Sequence, residues 1–179
     1  LLFNEDMRAD FPKGTFTYSC DHRMAVSRKE DLILEGDTIP YPDSHLAVAL
    51  NEKMRRVFGR SLKLRAVCAG SCGGCGAEIQ AMSNVVASPR HADGLMITGP
   101  VTKNMQEALK KTYEAVPHPK IVIAVGACAL SGGPFQGGRE VHNGVDGLIP
   151  VDLYIPGCPP HPLTILDGLL RLLGKLEER

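Results

Sequence analysis

The sequence has no excess of charge of either sign, because 20 Lys and Arg residues balance 20 Asp and Glu residues among 179. The basic residues are scattered along the chain. Binding to nucleic acid needs a basic face, so this balance argues against a nucleic-acid partner. A net charge near zero also gives a free monomer poor solubility, which fits a subunit of a larger assembly.

Long apolar runs are also missing. No run approaches the roughly 20 apolar residues of a membrane-spanning helix, and the longest apolar region, 163–176, is interrupted by Asp167, Arg171 and Lys175. No signal peptide or twin-arginine leader is visible, so we expect a cytoplasmic location. Six cysteines in a cytoplasmic chain favour metal or redox chemistry over structural disulfides.

The length fits one domain with an appendage. Residues 1–43 lack periodicity and are predicted to form an irregular arm, whereas 44–179 carry regular patterns. From Ser44, apolar residues at helical spacing predict a helix that ends near Gly59. Strands are predicted at 62–68, 94–98, 121–125 and 151–155, and three more helices are predicted at 77–83, 103–115 and 163–176. Strands that alternate with helices predict an α/β domain with a mostly parallel sheet.

The connection between the helix at 77–83 and the following segment is too short for the chain to reverse its direction. The helix at 77–83 runs directly into Val85 without a turn that would reverse the chain, as a parallel crossover requires. Either that helix is very short, or a connecting segment is missing between Asn84 and Val85. We favour the missing segment.

Cysteines follow three of the four predicted strands. Cys68, Cys72 and Cys75 lie at or after the end of the first strand, Cys128 follows the third, and Cys158 follows the fourth. In parallel sheets, ligands bind outside the carboxyl ends of the strands. The topology therefore predicts that Cys72, Cys75, Cys128 and Cys158 gather at one edge of the sheet.

Four thiolates suit either zinc or an iron–sulfur cluster. Structural zinc sites more often use two close CxxC pairs, and this chain has one pair and two single cysteines, so we favour iron–sulfur. The spacing of Cys68, Cys72 and Cys75 also matches the signature of radical S-adenosylmethionine enzymes. The chain is short for the barrel of those enzymes, and that interpretation leaves Cys128 and Cys158 unexplained.

Four motifs occur in order over most of 64–170: GSCGGC, ASPRHADGLMITGPVT, VGACALSGG and GVDGLIPVDLYIPGCPPHP. Together they resemble the small electron-transfer subunit shared by membrane-associated nickel–iron hydrogenases and respiratory complex I. The resemblance implies a flavodoxin-like fold. It also implies that Cys72, Cys75, Cys128 and Cys158 ligate one 4Fe–4S cluster.

The spacing of Cys72 and Cys75 resembles the energy-converting hydrogenase and formate hydrogenlyase branch, since complex I members carry adjacent cysteines there. This implies a relay subunit next to a nickel–iron large subunit, with further iron–sulfur and membrane subunits, at the cytoplasmic side of the membrane. Nickel binding needs two CxxC pairs, so this chain is not expected to hold nickel itself. A complex I-type quinone oxidoreductase subunit is the alternative, followed by the radical enzyme and a zinc scaffold.

The remaining candidates are weaker. Arg90 matches a family position beside the cluster, although a solvated loop arginine explains it equally well. Glu78 either favours the helix start or contacts a partner subunit. Gly76 stands where many hydrogenase members have an acidic residue, which puts the exact electron donor in doubt. Cys68 is expected to be a small buried residue, and Cys20 to be inert.

Overall fold

The structure, a computed structural model, describes residues 24–32, 62–82 and 85–176, and all structural statements concern these residues. The predicted helix from Ser44 and the cysteine at position 20 lie outside them. Contacts group Arg23–Leu34 with Asp43–Arg179 in one compact unit. A second unit, Leu1–His22 with Glu35–Pro42, also lies outside the described residues.

Four parallel strands form the centre of the larger unit. They are β1 (Leu64–Cys68), β2 (Gly94–Thr98), β3 (Ile121–Val125) and β4 (Leu153–Ile155), and they lie side by side in that order. Every residue of β2 and β3 is buried. Central strands of a parallel sheet are covered on both faces, which explains their uninterrupted apolar sequences.

Helices cover both faces of this sheet. They are α1 (Gly74–Gln80), α2 (Lys103–Ala115), α3 (Ala127–Ser131) and α4 (Pro162–Leu176). Leu109 of α2 and Ala129 of α3 pack into one core cluster, while Ile79 of α1 and Ile165 of α4 pack into the other. The α/β prediction is therefore confirmed. None of the helices in the described part of the chain combines the length and apolar character needed to cross a bilayer.

The helix and strand boundaries follow the sequence patterns, with several differences. The patterns did not predict α3, and β1 and β4 each begin two residues later than predicted. Helix α1 begins at Gly74, three residues before the predicted start, so Cys75 lies on a helix and not in the preceding loop. In the sequence of α2, Met105, Ala108 and Leu109 predict one face of the helix toward the core, but Leu109 is buried and Ala108 is exposed. The face that packs on the core follows steps of four residues through Met105, Leu109 and Tyr113.

A single residue extends the sheet beyond β1. Val85 forms a parallel bridge with Leu64, and the Val86 N–H donates to the Leu64 carbonyl at 2.9 Å. If Val85 is counted as a second strand, the order becomes 2-1-3-4-5, that of flavodoxin-like folds. Helix α1 is only seven residues long. A very short helix was one of the two explanations for the direct connection to Val85, the other being a missing segment.

Residues 24–32 pack on the opposite edge of the sheet. Val26 and Tyr154 exchange two backbone hydrogen bonds, of 3.1 and 2.8 Å, in an antiparallel bridge. A 3-10 helix follows at Lys29–Leu32. This part of the predicted arm thus belongs to the same compact unit as the sheet.

We expect the natural chain to contain a connecting segment between Asn84 and Val85. A longer strand there would extend the pairing of β1, which Val85 makes at a single residue. Tryptic digestion of the protein from its source cleaves after Arg65 and Arg90, so peptide mass spectrometry isolates this junction. We expect longer products than the peptide 66–90 of the present sequence. Detection of that peptide at its calculated mass would contradict the prediction.

Candidate metal centre

The three cysteine-bearing loops meet at the carboxyl edge of the sheet. Two backbone hydrogen bonds join the loops after β3 and β4: the Gly126 N–H donates to the Ile155 carbonyl, and the Ala127 N–H to the Gly157 carbonyl, both at 2.8 Å. These bonds place α3, which carries Cys128, beside the loop that carries Cys158. The edge predicted to gather the cysteines is therefore the edge where they lie.

Cys75 forms the buried side of the group, with 8% of its surface exposed. Its sulfur lies directly against Gly126, where a Cβ atom would stand 2.5 Å from Cys75 Sγ. Gly126 has φ 87° and ψ 155°, a conformation that is essentially restricted to glycine. The glycine between β3 and Cys128 therefore makes room for the thiol of Cys75.

Two further glycines lie against cysteine sulfurs. A Cβ at Gly133 would stand 3.1 Å from Cys128 Sγ. A Cβ at Gly74 would stand 3.7 Å from both Cys72 Sγ and the side chain of Pro159, which follows Cys158 directly. Sequence patterns do not single out Gly126 or Gly133, and the available signal is only their closeness to Cys128 in the chain.

The electrostatics indicate that the four thiols share one place. Burial raises the pKa of Cys75 to about 11, with further increases from Cys128, Cys158 and Cys72. Burial also raises the pKa of Cys128, helped by Cys158 and Cys72. Each neighbouring thiolate makes ionisation of the next less favourable, so four thiolates at this place require a cationic centre among them.

Four thiols can hold either a zinc ion or an iron–sulfur cluster, and the two differ in the spacing of their sulfurs. All four cysteines are free thiols. Within the described ranges, no group of three or more His, Cys, Asp or Glu side chains is arranged to hold one metal ion. Four thiolates on one zinc, each at about 2.3 Å, would lie roughly 3.8 Å apart. In a four-iron cluster each thiolate binds a different iron, so the sulfurs are spaced more widely.

Cys68 differs from its prediction. It was expected to be buried, but its side chain is exposed because it lies at the end of β1, beyond the covered part of the strand. Its sulfur lies 3.1 Å from the Ser71 hydroxyl oxygen. The hydrogen bond with Ser71 lowers the pKa of the Cys68 thiol.

The two other candidate residues have different placements. Glu78 is half-buried on α1, one turn after Cys75. Arg90 is exposed in a 3-10 helix, Pro89–His91, that precedes the amino end of β2. The cysteines follow the carboxyl ends of β1, β3 and β4. A position of Arg90 beside a cluster therefore stays a prediction.

The part of the chain that carries the four cysteines is similar to known proteins. Residues 72–172 match the family described as NADH ubiquinone oxidoreductase, 20 Kd subunit. An uncharacterized protein of Methanocaldococcus jannaschii is 48% identical over 134 residues, covering 68% of this chain and 90% of that protein. The probable membrane-bound hydrogenase subunit mbhJ of Pyrococcus furiosus is 44% identical over 134 residues, covering 69% of this chain and 80% of that protein.

Two further similarities extend the comparison. An NADH-quinone oxidoreductase subunit of Phocaeicola vulgatus is 52% identical over 91 residues, which cover 51% of this chain and 46% of that protein. A chain in the solved structure of the membrane-bound sulfane sulfur reductase, an archaeal respiratory membrane complex, is 30% identical with a TM-score of 0.59. That match covers 71% of this chain and 77% of the other.

We expect the substitution Gly126→Ala to remove most of the bound metal. The new Cβ would collide with Cys75 Sγ, and the backbone conformation would cost about 1–3 kcal/mol. Gly76→Ala is the matched control, because it lies next to Cys75 on α1 and a Cβ there meets no atom within 4 Å. Metal content per chain after anaerobic purification is the measurement. Equal metal in both variants would show that Gly126 does not shape the site.

Proposed function

The chain belongs to the family of the 20 kDa subunit of NADH ubiquinone oxidoreductase, and from this premise we propose that it is an electron-transfer subunit of a membrane-bound oxidoreductase complex. Cys72, Cys75, Cys128 and Cys158 would hold one 4Fe–4S cluster, which supplies one-electron transfer when bound. All four cysteines lie within the matched residues 72–172. The observation that carries the proposal is the meeting of the cysteine-bearing loops at Gly126, which lies against Cys75 Sγ and bonds to the loop that carries Cys158.

The chain's own residues explain how such a site would work. Cys75 is buried, whereas Cys72 and Cys158 are exposed. The group is therefore shielded on the side of α1 and Gly126 and accessible on the other. A partner protein that docks on the accessible side would come close to the thiolates without entering the core. Such an arrangement suits a relay between proteins better than chemistry on a small substrate enclosed in a pocket.

We assign the chain to a hydrogenase-type complex and not a quinone-reducing one, on the extent of the alignments and on the spacing of Cys72 and Cys75. The chain aligns with 80% of the probable hydrogenase subunit, compared with only 46% of the NADH-quinone oxidoreductase subunit. The two glycines between Cys72 and Cys75 fit the same branch. On this basis the partners are a nickel–iron large subunit, further iron–sulfur proteins and membrane subunits, on the cytoplasmic side. With one CxxC pair in the chain, nickel would be held by the large subunit.

The cluster proposal predicts about four iron and four sulfide per chain after anaerobic purification. Cys158→Ser should lose or convert the cluster because one iron loses its thiolate. Cys68→Ser should retain it, with at most a modest loss of stability. Iron and sulfide assays with EPR spectra compare the two variants. The opposite result, with Cys68 essential and Cys158 dispensable, would favour a radical S-adenosylmethionine enzyme. One zinc and no iron would refute the proposal.

The nature of the complex is tested by affinity purification from membranes under anaerobic conditions. We expect subunits with membrane-spanning segments to co-purify, together with a large subunit that contains nickel. Nickel is counted per complex by elemental analysis, and the subunits are identified by mass spectrometry. A complex without nickel that reduces a quinone, or one that reduces sulfane sulfur, would overturn the hydrogenase assignment and keep the electron-transfer role. Recovery of the cluster-loaded chain as a stable monomer would overturn membership of a complex.

A further inference from the structure

The carboxylate of Asp146 links three segments that are separated along the chain. Its Oδ1 accepts a hydrogen bond from the Tyr154 hydroxyl at 2.7 Å, and its Oδ2 accepts one from Lys29 Nζ at 2.5 Å. We call Lys29, Asp146 and Tyr154 the Asp146 joint. The family motifs contain two members of this joint, but the proposed function assigns neither of them a role.

The backbone beside Asp146 is fixed on the helix that carries Cys128. The Val145 N–H donates to the Ala129 carbonyl at 2.9 Å, and Val145 is fully buried. Gly144 approaches the same carbonyl so closely that a Cβ would stand 2.6 Å from it. Ala129 directly follows Cys128 in α3, so the position of the Asp146 carboxylate is tied to that of Cys128.

Tyr154 gives the other end of the link. It lies in β4, four residues before Cys158, and its ring packs in the same core cluster as Ala129 and Val145. Burial raises the pKa of Tyr154, and the hydrogen bond to Asp146 raises it further. The phenol therefore stays protonated at neutral pH. Its O–H donates a charge-assisted hydrogen bond to the Asp146 carboxylate.

We propose that Asp146 is a positioning residue that holds the Cys128 helix and the Cys158 loop at a fixed separation. The backbone bonds from Gly126 and Ala127 join the two loops at one place. The Asp146 joint connects them at a second place, so a rotation about the first contact would have to break the second. Outer partners of this kind orient metal ligands and affect how firmly the metal is held. The proposal rests on the cluster proposed above.

The test uses the full chain with its cluster and four variants: Tyr154→Phe, Asp146→Ala, Asp146→Asn and Tyr113→Phe. Tyr154→Phe removes a single oxygen and keeps the packing, so it reports on the joint even if Asp146→Ala fails to fold. Asp146→Asn keeps an oxygen that accepts from the phenol but loses the charge. Tyr113→Phe is the matched control, since Tyr113 lies on α2 against the same core and stacks with Lys120.

The measurements are the rate of iron loss to a chelator, the EPR spectrum of the reduced cluster, and the thermal midpoint. Tyr154→Phe and Asp146→Ala should lose iron about 10-fold faster than the unmodified chain, the effect typical of a lost outer partner. Both should also alter the EPR line shape. Asp146→Asn should lose iron nearly as slowly as the unmodified chain. A double variant that combines Tyr154→Phe with Asp146→Ala should lose iron no faster than Asp146→Ala alone, because the contact with Tyr154 is already absent there.

The outcomes separate this inference from the proposed function. If the unmodified chain holds its cluster, but Tyr154→Phe matches Tyr113→Phe in iron loss and EPR, the positioning role is refuted and the function stands. A drop in thermal midpoint alone, with unchanged iron loss and spectrum, gives Asp146 a merely structural role and also refutes the inference. An unmodified chain that holds no iron–sulfur cluster overturns both.

Discussion

Parallel hydrogen bonding between the strands is the constraint on which the site depends. The register pairs Cys68 with Thr98, and Val125 with Ile155, so the strands end close to one level. Each loop that follows a strand must therefore start at the same edge. Cysteines far apart in sequence meet there because the sheet is parallel, and an antiparallel arrangement of these strands would send half of them to the opposite edge.

The sequence was sufficient to predict the strands and most helices because their determinants are local. Buried strands such as 121–125 have uninterrupted apolar residues, and α2 has a clear helical period. The convergence of Cys72, Cys75, Cys128 and Cys158 followed from topology alone. The family comparison confirms the resemblance that these motifs indicated.

The features that escaped prediction depend on contacts between distant segments. The need for glycine at Gly126 comes from Cys75, about fifty residues earlier, and the exposure of Cys68 depends on where the neighbouring loops cross the strand end. Nothing in the sequence pattern distinguishes Asp146 or Tyr154 from other polar and aromatic residues. The hydrogen bond between them forms only when α3 and β4 are packed together. Membership of a motif also gives no information on which end of a strand a residue occupies, and Arg90 precedes the amino end of β2.

The unequal burial of the four cysteines has a consequence for how the protein matures. Cys75 is enclosed by the fold, whereas Cys72 and Cys158 face the exterior. On the proposed function, a carrier protein would reach these two thiols from outside the folded chain, with the core left intact. A partner that docks on this side would cover both thiols, so on this proposal the cofactor would be inserted before the complex assembles.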